Sequence, residues 1–445
     1  MKSTNNIFSL LLMISILART TSTAFITPTT LRSASTYYQY QCKAKDANAD
    51  DDGIDHSQHQ AHDGQRRKAL LGGALSSLPF FFENTHQKAN AAMSTIAVDE
   101  GDVVMPLADF PIRRLRLPKA GLGREYIIIQ LFIEGKGPYD FMVDSGLTTE
   151  MITPHLQQSL NNKSFGITRQ GLSAGASPRT QSLVELNNVS LVDGETVFDL
   201  PSPLHAIVTD FPQEHMDPAH DPVEGMIGME VLEQFDVDFD FPAGRLRLFK
   251  PGTVAQVAKK AGLSTIDAVV VNETRLLGFR VVSASARKDG INGGNAAQPF
   301  LGVVDCGASF SVINWAAAPL LGLPPKNDGV YNRSPAVNGV GVDGRPILMP
   351  LTQLGLSYCG NPITQDNKSS TAIMASFQSP PSDWKSWDPI QIAIGDLPIF
   401  DNLLGDGRTP YRGPSGIIGL DVLSQRRLIL ETSSGRQRKI YVGNN

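Results

Sequence analysis

Two short triplets carry the groups in this sequence best placed for chemistry: Asp144-Ser145-Gly146 and Asp305-Cys306-Gly307. Each closes an apolar run, Phe141-Met142-Val143 in one case and Leu301-Gly302-Val303-Val304 in the other. Two carboxyls held about 3 Å apart cannot both ionise, so one pKa falls, the other rises and the pair holds one proton between them. Such a pair titrates as a unit. It offers a base that activates water and an acid that polarises a carbonyl. Amide hydrolysis needs both when no metal or nucleophilic side chain takes part. The neighbours suit that use. A glycine after each Asp permits a tight turn and lets a backbone N–H approach the carboxylate. Ser145 can bridge to the other triplet through its hydroxyl, whereas Cys306 offers a thiol, a weaker hydrogen-bonding group.

Outward from the triplets the chain repeats itself. Each triplet is followed by a hydroxyl-bearing stretch and an apolar pair, Met151-Ile152 or Val312-Ile313. About 31 residues beyond the first Asp and 36 beyond the second lies a Gly-rich stretch, with Gly171, Ser173 and Gly175 in one half and Gly339 and Gly341 in the other. These stretches are candidate mobile flaps that close over a substrate and exclude water. Then come Gly225-Met226-Ile227-Gly228-Met229-Glu230-Val231-Leu232 and Gly416-Ile417-Ile418-Gly419-Leu420-Asp421-Val422-Leu423. From Asp to the second glycine of this element is 84 residues in the first half and 114 in the second. The polar, Pro-rich stretch 361–389 reads as the inserted loop that makes the difference. The apolar-apolar-Gly element is expected to pack behind the Asp loop and fix it.

The elements that must hold these groups read mostly as β. Residues 125–134 form a dense run of β-branched and aliphatic side chains, and 235–249 alternate across a hairpin turning at Pro242-Ala243-Gly244. Gly and Pro recur at short intervals. Helical patterns are confined to 155–160, 254–261 and 315–321.

With these motifs in place, the chain resembles the pepsin/retropepsin superfamily of aspartic proteases over most of residues 104–445. The resemblance implies an all-β, bilobal acid-protease fold, two related β-barrel-like lobes with a cleft between them. It implies one catalytic Asp per lobe, Asp144 and Asp305, supported by Ser145, Gly146, Cys306 and Gly307, and polypeptide substrates. Three features depart from the family pattern. Cys306 stands where Thr or Ser is usual, and Leu147 replaces a small residue. No Tyr occurs between Tyr139 and Tyr331, so a pepsin-type flap tyrosine is absent. A catalytically degenerate peptide-binding module on the same fold is the alternative.

The region before residue 92 reads as an address. Residues 1–24 have Lys2, an apolar run over 7–18 and a small-residue exit at Ala24, as in a signal peptide. Residues 25–91 read as a transit peptide, an acidic linker with His56, His59 and His62, and a second signal with Arg66-Arg67-Lys68 and Ala89-Asn90-Ala91. Two signals in series resemble presequences of thylakoid-lumen proteins. The expectation is a plastid, lumenal enzyme, with a secreted protein as the alternative. Residues 92–260 and 261–445 are then the two protease-like lobes.

Composition narrows the remaining classes. The 445 residues carry a net charge of −5, and the portion after residue 91 carries −7, which disfavours nucleic-acid binding. Three cysteines form no disulfide framework. No metal or organic cofactor is implied. No apolar run after residue 91 is long enough for a membrane anchor, and the processed protein is expected to be monomeric. Gly171-Leu172-Ser173-Ala174-Gly175 matches the G-x-S-x-G nucleophile pattern, which requires a strand before it and a helix after it. His205, His215 and His220 read as loop surface, as does the 214–221 stretch. Asp236, Asp238 and Asp240 share one face of a strand, read here as a solvent-facing edge. Cys306 reads as a small buried residue, with a reactive thiol as the other option. Five glycosylation sequons begin at Asn162, Asn188, Asn272, Asn332 and Asn367.

Overall fold

In the computed structural model the described residues are 9–11, 15–17, 104–115, 125–162, 168–173, 179–210, 213, 220–271, 274–284, 298–340, 346–359, 385–404, 411–432 and 438–444. The transit, linker and second-signal readings, His215, and most of the 361–389 insertion lie outside them, as do Asn272, Asn367, Gly175 and Gly341.

The fold is all-β and bilobal. Its nucleus in the first half is the hairpin Tyr126–Ile133 and Lys136–Val143. Glu134 and Gly135 turn it with φ of 53° and 75°, the paired positive values that match strand twist in a two-residue turn. Isoleucines and aromatics on both faces of Tyr126–Ile133 are buried, so the run is continuous rather than alternating. The strand Val223–Ile227 lies between Lys136–Val143, to which it is parallel, and Glu150–Ile152, to which it is antiparallel. On the far side of Glu150–Ile152 follow Leu204–Val208, Arg179–Leu186 and Thr168–Ser173.

The second half repeats this order strand for strand. Ser415–Ile418 lies between Phe300–Val304 (parallel) and Val312–Ile313 (antiparallel), and Ile390–Ile394, Pro346–Leu354 and Ala336–Val340 follow outward. The sequence repeat is therefore a repeat of topology. Segments Ser9–Leu11 and Ser15–Leu17 add the outermost strands, the first parallel to Gly171–Ser173 and the second antiparallel to Asn338–Val340.

A third sheet of six strands joins the halves. Its order is Ser264–Asp267, Lys439–Val442, Leu428–Glu431, Asp236–Asp240, Arg245–Phe249, Ala108–Pro111. The two central strands come from different halves and pair antiparallel, Val237 opposite Leu430. This corrects the solvent-edge reading of the aspartate strand. Asp236 and Asp238 are buried, because the covered face belongs to a central strand. Asp238 accepts from Arg247 at 3.1 Å and from Arg427 of the second half at 2.6 Å, and Asp236 accepts the Gly252 N–H at 2.7 Å. The charges are paired rather than solvated, as burial requires.

Helix is sparse, as read. Pro154–Leu160 is capped by Thr153, whose hydroxyl accepts the Leu156 N–H, and Val254–Lys260 precedes the second half. The 315–321 pattern gives a 3₁₀ turn, Ala318–Leu321. No helix among the described residues is long and apolar enough to cross a membrane.

Candidate active site

Each Asp loop is tied down by the glycine element behind it. Asp144 N–H donates to the Ile227 carbonyl at 2.9 Å and Met229 N–H to the Leu147 carbonyl at 2.7 Å. In the second half Asp305 N–H donates to Ile418 at 3.0 Å and Leu420 N–H to Ala308 at 2.8 Å. Such contact leaves no room for a side chain. A Cβ on Gly228 would sit 2.8 Å from the Leu147 oxygen, and one on Gly419 2.7 Å from that of Ala308. This is the physical reason for the glycine in each apolar-apolar-Gly element. Leu147, large for its place, is wholly buried over Gly228.

The two loops interlock. A Cβ on Gly146 would lie 2.5 Å from Asp305 Cγ, and one on Gly307 would lie 2.2 Å from Asp144 Cγ. Each glycine thus receives the opposite carboxyl against its α-carbon. Gly146 N–H donates to Asp144 Oδ1 at 2.8 Å; Gly307 and Ala308 donate to Asp305 Oδ1 at 2.8 and 3.0 Å. Ser145 crosses between the halves, donating to the Val304 carbonyl at 3.0 Å and accepting the Cys306 N–H at 2.9 Å. The structure therefore brings together Asp144, Ser145, Gly146, Asp305, Cys306 and Gly307.

The electrostatics follow from burial. Both carboxyls are about 1% exposed. Asp144 is pushed well above the usual carboxylate range by burial, then by the Asp305 charge beside it, with the Gly146 N–H acting in the other direction. Asp305 is pushed up to about 7 by burial, against the hydrogen bonds it receives from Asp144, Gly307 and Ala308. The direction for the pair is upward, so one proton is retained where two isolated carboxyls would hold none. Burial also pushes the Cys306 thiol up, so it remains protonated at neutral pH and is a space-filling group, not a nucleophile.

Of the flap candidates, Gly171 and Ser173 lie on the strand Thr168–Ser173 and Gly339 on Ala336–Val340. Thr168–Ser173 pairs antiparallel with Arg179–Leu186. The described part of the G-x-S-x-G match, Gly171–Ser173, lies on a strand, and the next described residues, Arg179–Leu186, form a strand rather than the helix a nucleophile elbow demands. His205 is not loop surface: it stands on Leu204–Val208, with Nδ1 3.1 Å from Glu230 Oε1. His220 lies 3.8 Å from Asp140, partly buried. No cluster of three or more His, Cys, Asp or Glu suited to a metal occurs among the described residues.

Sequence reading passed over two buried ties just behind the dyad, Glu150 to the Met229–Leu232 helix and Ser311 to Asp421. Their signal was present in the repeat. Both residues follow their Asp by six positions, and Glu230 and Asp421 hold equivalent places.

A family model described as "Aspartyl protease" matches residues 129–231. No curated protein matches the chain. Among solved structures, a retropepsin-like aspartic protease from Rickettsia conorii is 20% identical, covering 32% of this chain and 91% of its own, with a TM-score of 0.20. Basic 7S globulin from soybean is 8% identical, covering 76% of this chain and 94% of its own, with a TM-score of 0.39. Likenesses at these values carry nothing about activity. Over residues 129–231 the chain matches the aspartyl protease family model, within an all-β fold of two topologically matching halves.

Proposed function

We propose that the protein is an aspartic endopeptidase that hydrolyses peptide bonds with water activated between Asp144 and Asp305. The observation that carries this reading is the interlocking of the two Asp loops, each glycine packed on the opposite carboxyl. That packing suits a pair sharing one proton. In the reaction the ionised carboxyl takes a proton from water while the protonated one donates to the substrate carbonyl. The water oxygen adds to the carbonyl carbon to give a gem-diol; as the C–N bond breaks, the proton gained by the first carboxyl passes to the leaving nitrogen and one hydroxyl of the diol returns its proton to the second carboxyl, restoring the pair. Backbone N–H groups of Gly146, Gly307 and Ala308 keep the carboxyls oriented throughout. The strands bearing Gly171 and Gly339 serve as flaps on an extended polypeptide.

The test is cleavage of a mixed peptide library at pH 4–7 by the protein beginning near residue 92. Asp144→Asn and Asp305→Asn are each expected to abolish cleavage and leave the circular dichroism unchanged. Full activity in both variants defeats the dyad. Peptide binding without cleavage by the unaltered protein favours the degenerate binding module, for which Cys306 and the missing flap tyrosine are the motivation. We place the processed protein, as a monomer, in the thylakoid lumen of a plastid. N-terminal sequencing of native protein checks this, and a start near residue 25 would exclude it.

A further inference from the structure

The strand Glu150–Ile152 takes the chain directly out of the Asp144 loop, and its first residue is a carboxylic acid with no exposed surface. Glu150 Oε1 accepts the Val231 N–H at 3.0 Å from the Met229–Leu232 helix. Oε2 has no hydrogen-bond partner among the described residues. An ionised carboxylate in that position would be buried with one bare oxygen and no cation beside it, an arrangement that burial disfavours.

The second half shows what this position does. Ser311, six residues after Asp305, donates through Oγ to Asp421 Oδ1 at 2.7 Å and through its N–H to Asp421 Oδ2 at 3.0 Å, and accepts the Gly419 N–H at 3.0 Å. Asp421 is the second residue of the helix Leu420–Leu423, as Glu230 is of Met229–Leu232. In one half the Asp loop is fastened to its helix by a hydroxyl on a carboxylate, which needs one negative charge. In the other, two acids, Glu150 and Glu230, hold these two places. The titratable groups facing Glu150 are Glu230 on the helix and, beyond it, His205 on Leu204–Val208, 3.1 Å from Glu230. Glu230 is about one-third exposed with His205 3.1 Å away, whereas Glu150 is wholly buried with one bare oxygen.

We propose that neutral Glu150 is a positioning residue for Asp144, fastening its loop to the Met229–Leu232 helix, and that ionisation of Glu150 loosens this fastening. Burial, then the Glu230 charge, hold the Glu150 carboxyl well above its ordinary 4.5, opposed by backbone N–H groups. Because the folded value is raised, the stability it contributes is whole below about pH 4.5 and is lost as pH rises through the folded value. The catalytic consequence rests on the protease reading; the stability consequence does not.

The experiment compares the full chain with Glu150→Gln and with Glu150→Ser/Glu230→Asp, which copies the second half into the first. Denaturant unfolding is measured from pH 4.5 to 8. The folding constants of wild type and Glu150→Gln are expected to diverge in favour of the amide, by up to about tenfold per pH unit, until Glu150 ionises. Parallel pH profiles overturn the proposal. If Glu150→Gln does not fold, the double variant decides: a flatter pH profile than wild type supports the proposal, and an equal slope or failure to fold overturns it. In peptide cleavage at pH 5, Glu150→Ala is expected to lose about tenfold or more in kcat with KM little changed, and Glu150→Gln to keep it. Equal kcat in all three overturns the positioning role. If wild type cleaves nothing, the protease reading fails, while the stability comparison still decides the state of Glu150.

Discussion

Ser145→Ala removes the hydroxyl that joins the two Asp loops. Its Oγ donates to the Val304 carbonyl at 3.0 Å and accepts the Cys306 N–H at 2.9 Å, in a residue 2% exposed. The alanine variant strips both partners of these bonds where water does not reach. An unsatisfied buried polar group costs about 1–3 kcal/mol, giving roughly 2–6 kcal/mol for two. The Val304 carbonyl has a second lone pair, which moves the expectation towards about 2–4 kcal/mol. Guanidinium unfolding at pH 5, followed by fluorescence of the three tryptophans, reads the loss directly. Ser145→Thr keeps the hydroxyl and serves as the control. Loss of under about 0.5 kcal/mol in the alanine variant refutes the claim that this crossing couples the halves, since a change that small is typical of sites away from any buried network. Activity is expected to fall further than stability does, because a 1 Å displacement of reacting groups costs about a hundredfold in rate.

Gly307→Ala, which would put a Cβ 2.2 Å from Asp144 Cγ, is expected to lower kcat/KM by about a hundredfold or more with near-native circular dichroism. Asp238→Asn removes a buried partner of Arg247 and Arg427; Asp240 remains near both, so the expected destabilisation is about 3 kcal/mol by thermal unfolding. Because both carboxyls are held above the ordinary 3.8, the kcat/KM profile is expected to extend to higher pH than isolated carboxyls would allow and to fall only when the pair gives up its last shared proton. Stability follows the same sign. The raised dyad contributes it fully below the ordinary 3.8 and loses it as pH rises through about 7, and Asp305→Asn is expected to flatten that slope.

The pairing of the two Asp loops and their setting were legible because the chain states them twice. One Asp-small-Gly triplet is a common turn; two, each followed by an apolar-apolar-Gly element, specify matching strands that the structure brings together. The hairpin at 242–244 and the run at 125–134 were legible because strand signals are local. What failed depended on the other half. Period two put Asp236, Asp238 and Asp240 on one face but could not say that Leu428–Glu431 would pair alongside, or that Arg427 would supply the charge. His205 read as loop because Ala206-Ile207-Val208 is too short a run to stand out. The helices Met229–Leu232 and Leu420–Leu423 are one turn each, too brief for a periodicity of 3.6 to register. Glu150 went unremarked because an acid in an apolar strand gains meaning only beside Ser311.

The joining sheet also sets a timetable for synthesis. Asp236–Asp240 leaves the ribosome with one edge paired by Arg245–Phe249 and the other open until Leu428–Glu431 arrives, roughly 190 residues later. At about 5–20 residues per second that interval is on the order of 10–40 s. For that time the nascent first lobe presents an open strand edge with two aspartates awaiting arginine partners, Arg247 already present and Arg427 not yet made. Inward-facing charges of this kind disfavour edge-to-edge addition of strands. The ion pairs that hold the finished halves together are thus, earlier in the chain's life, guards of the strand they later bury.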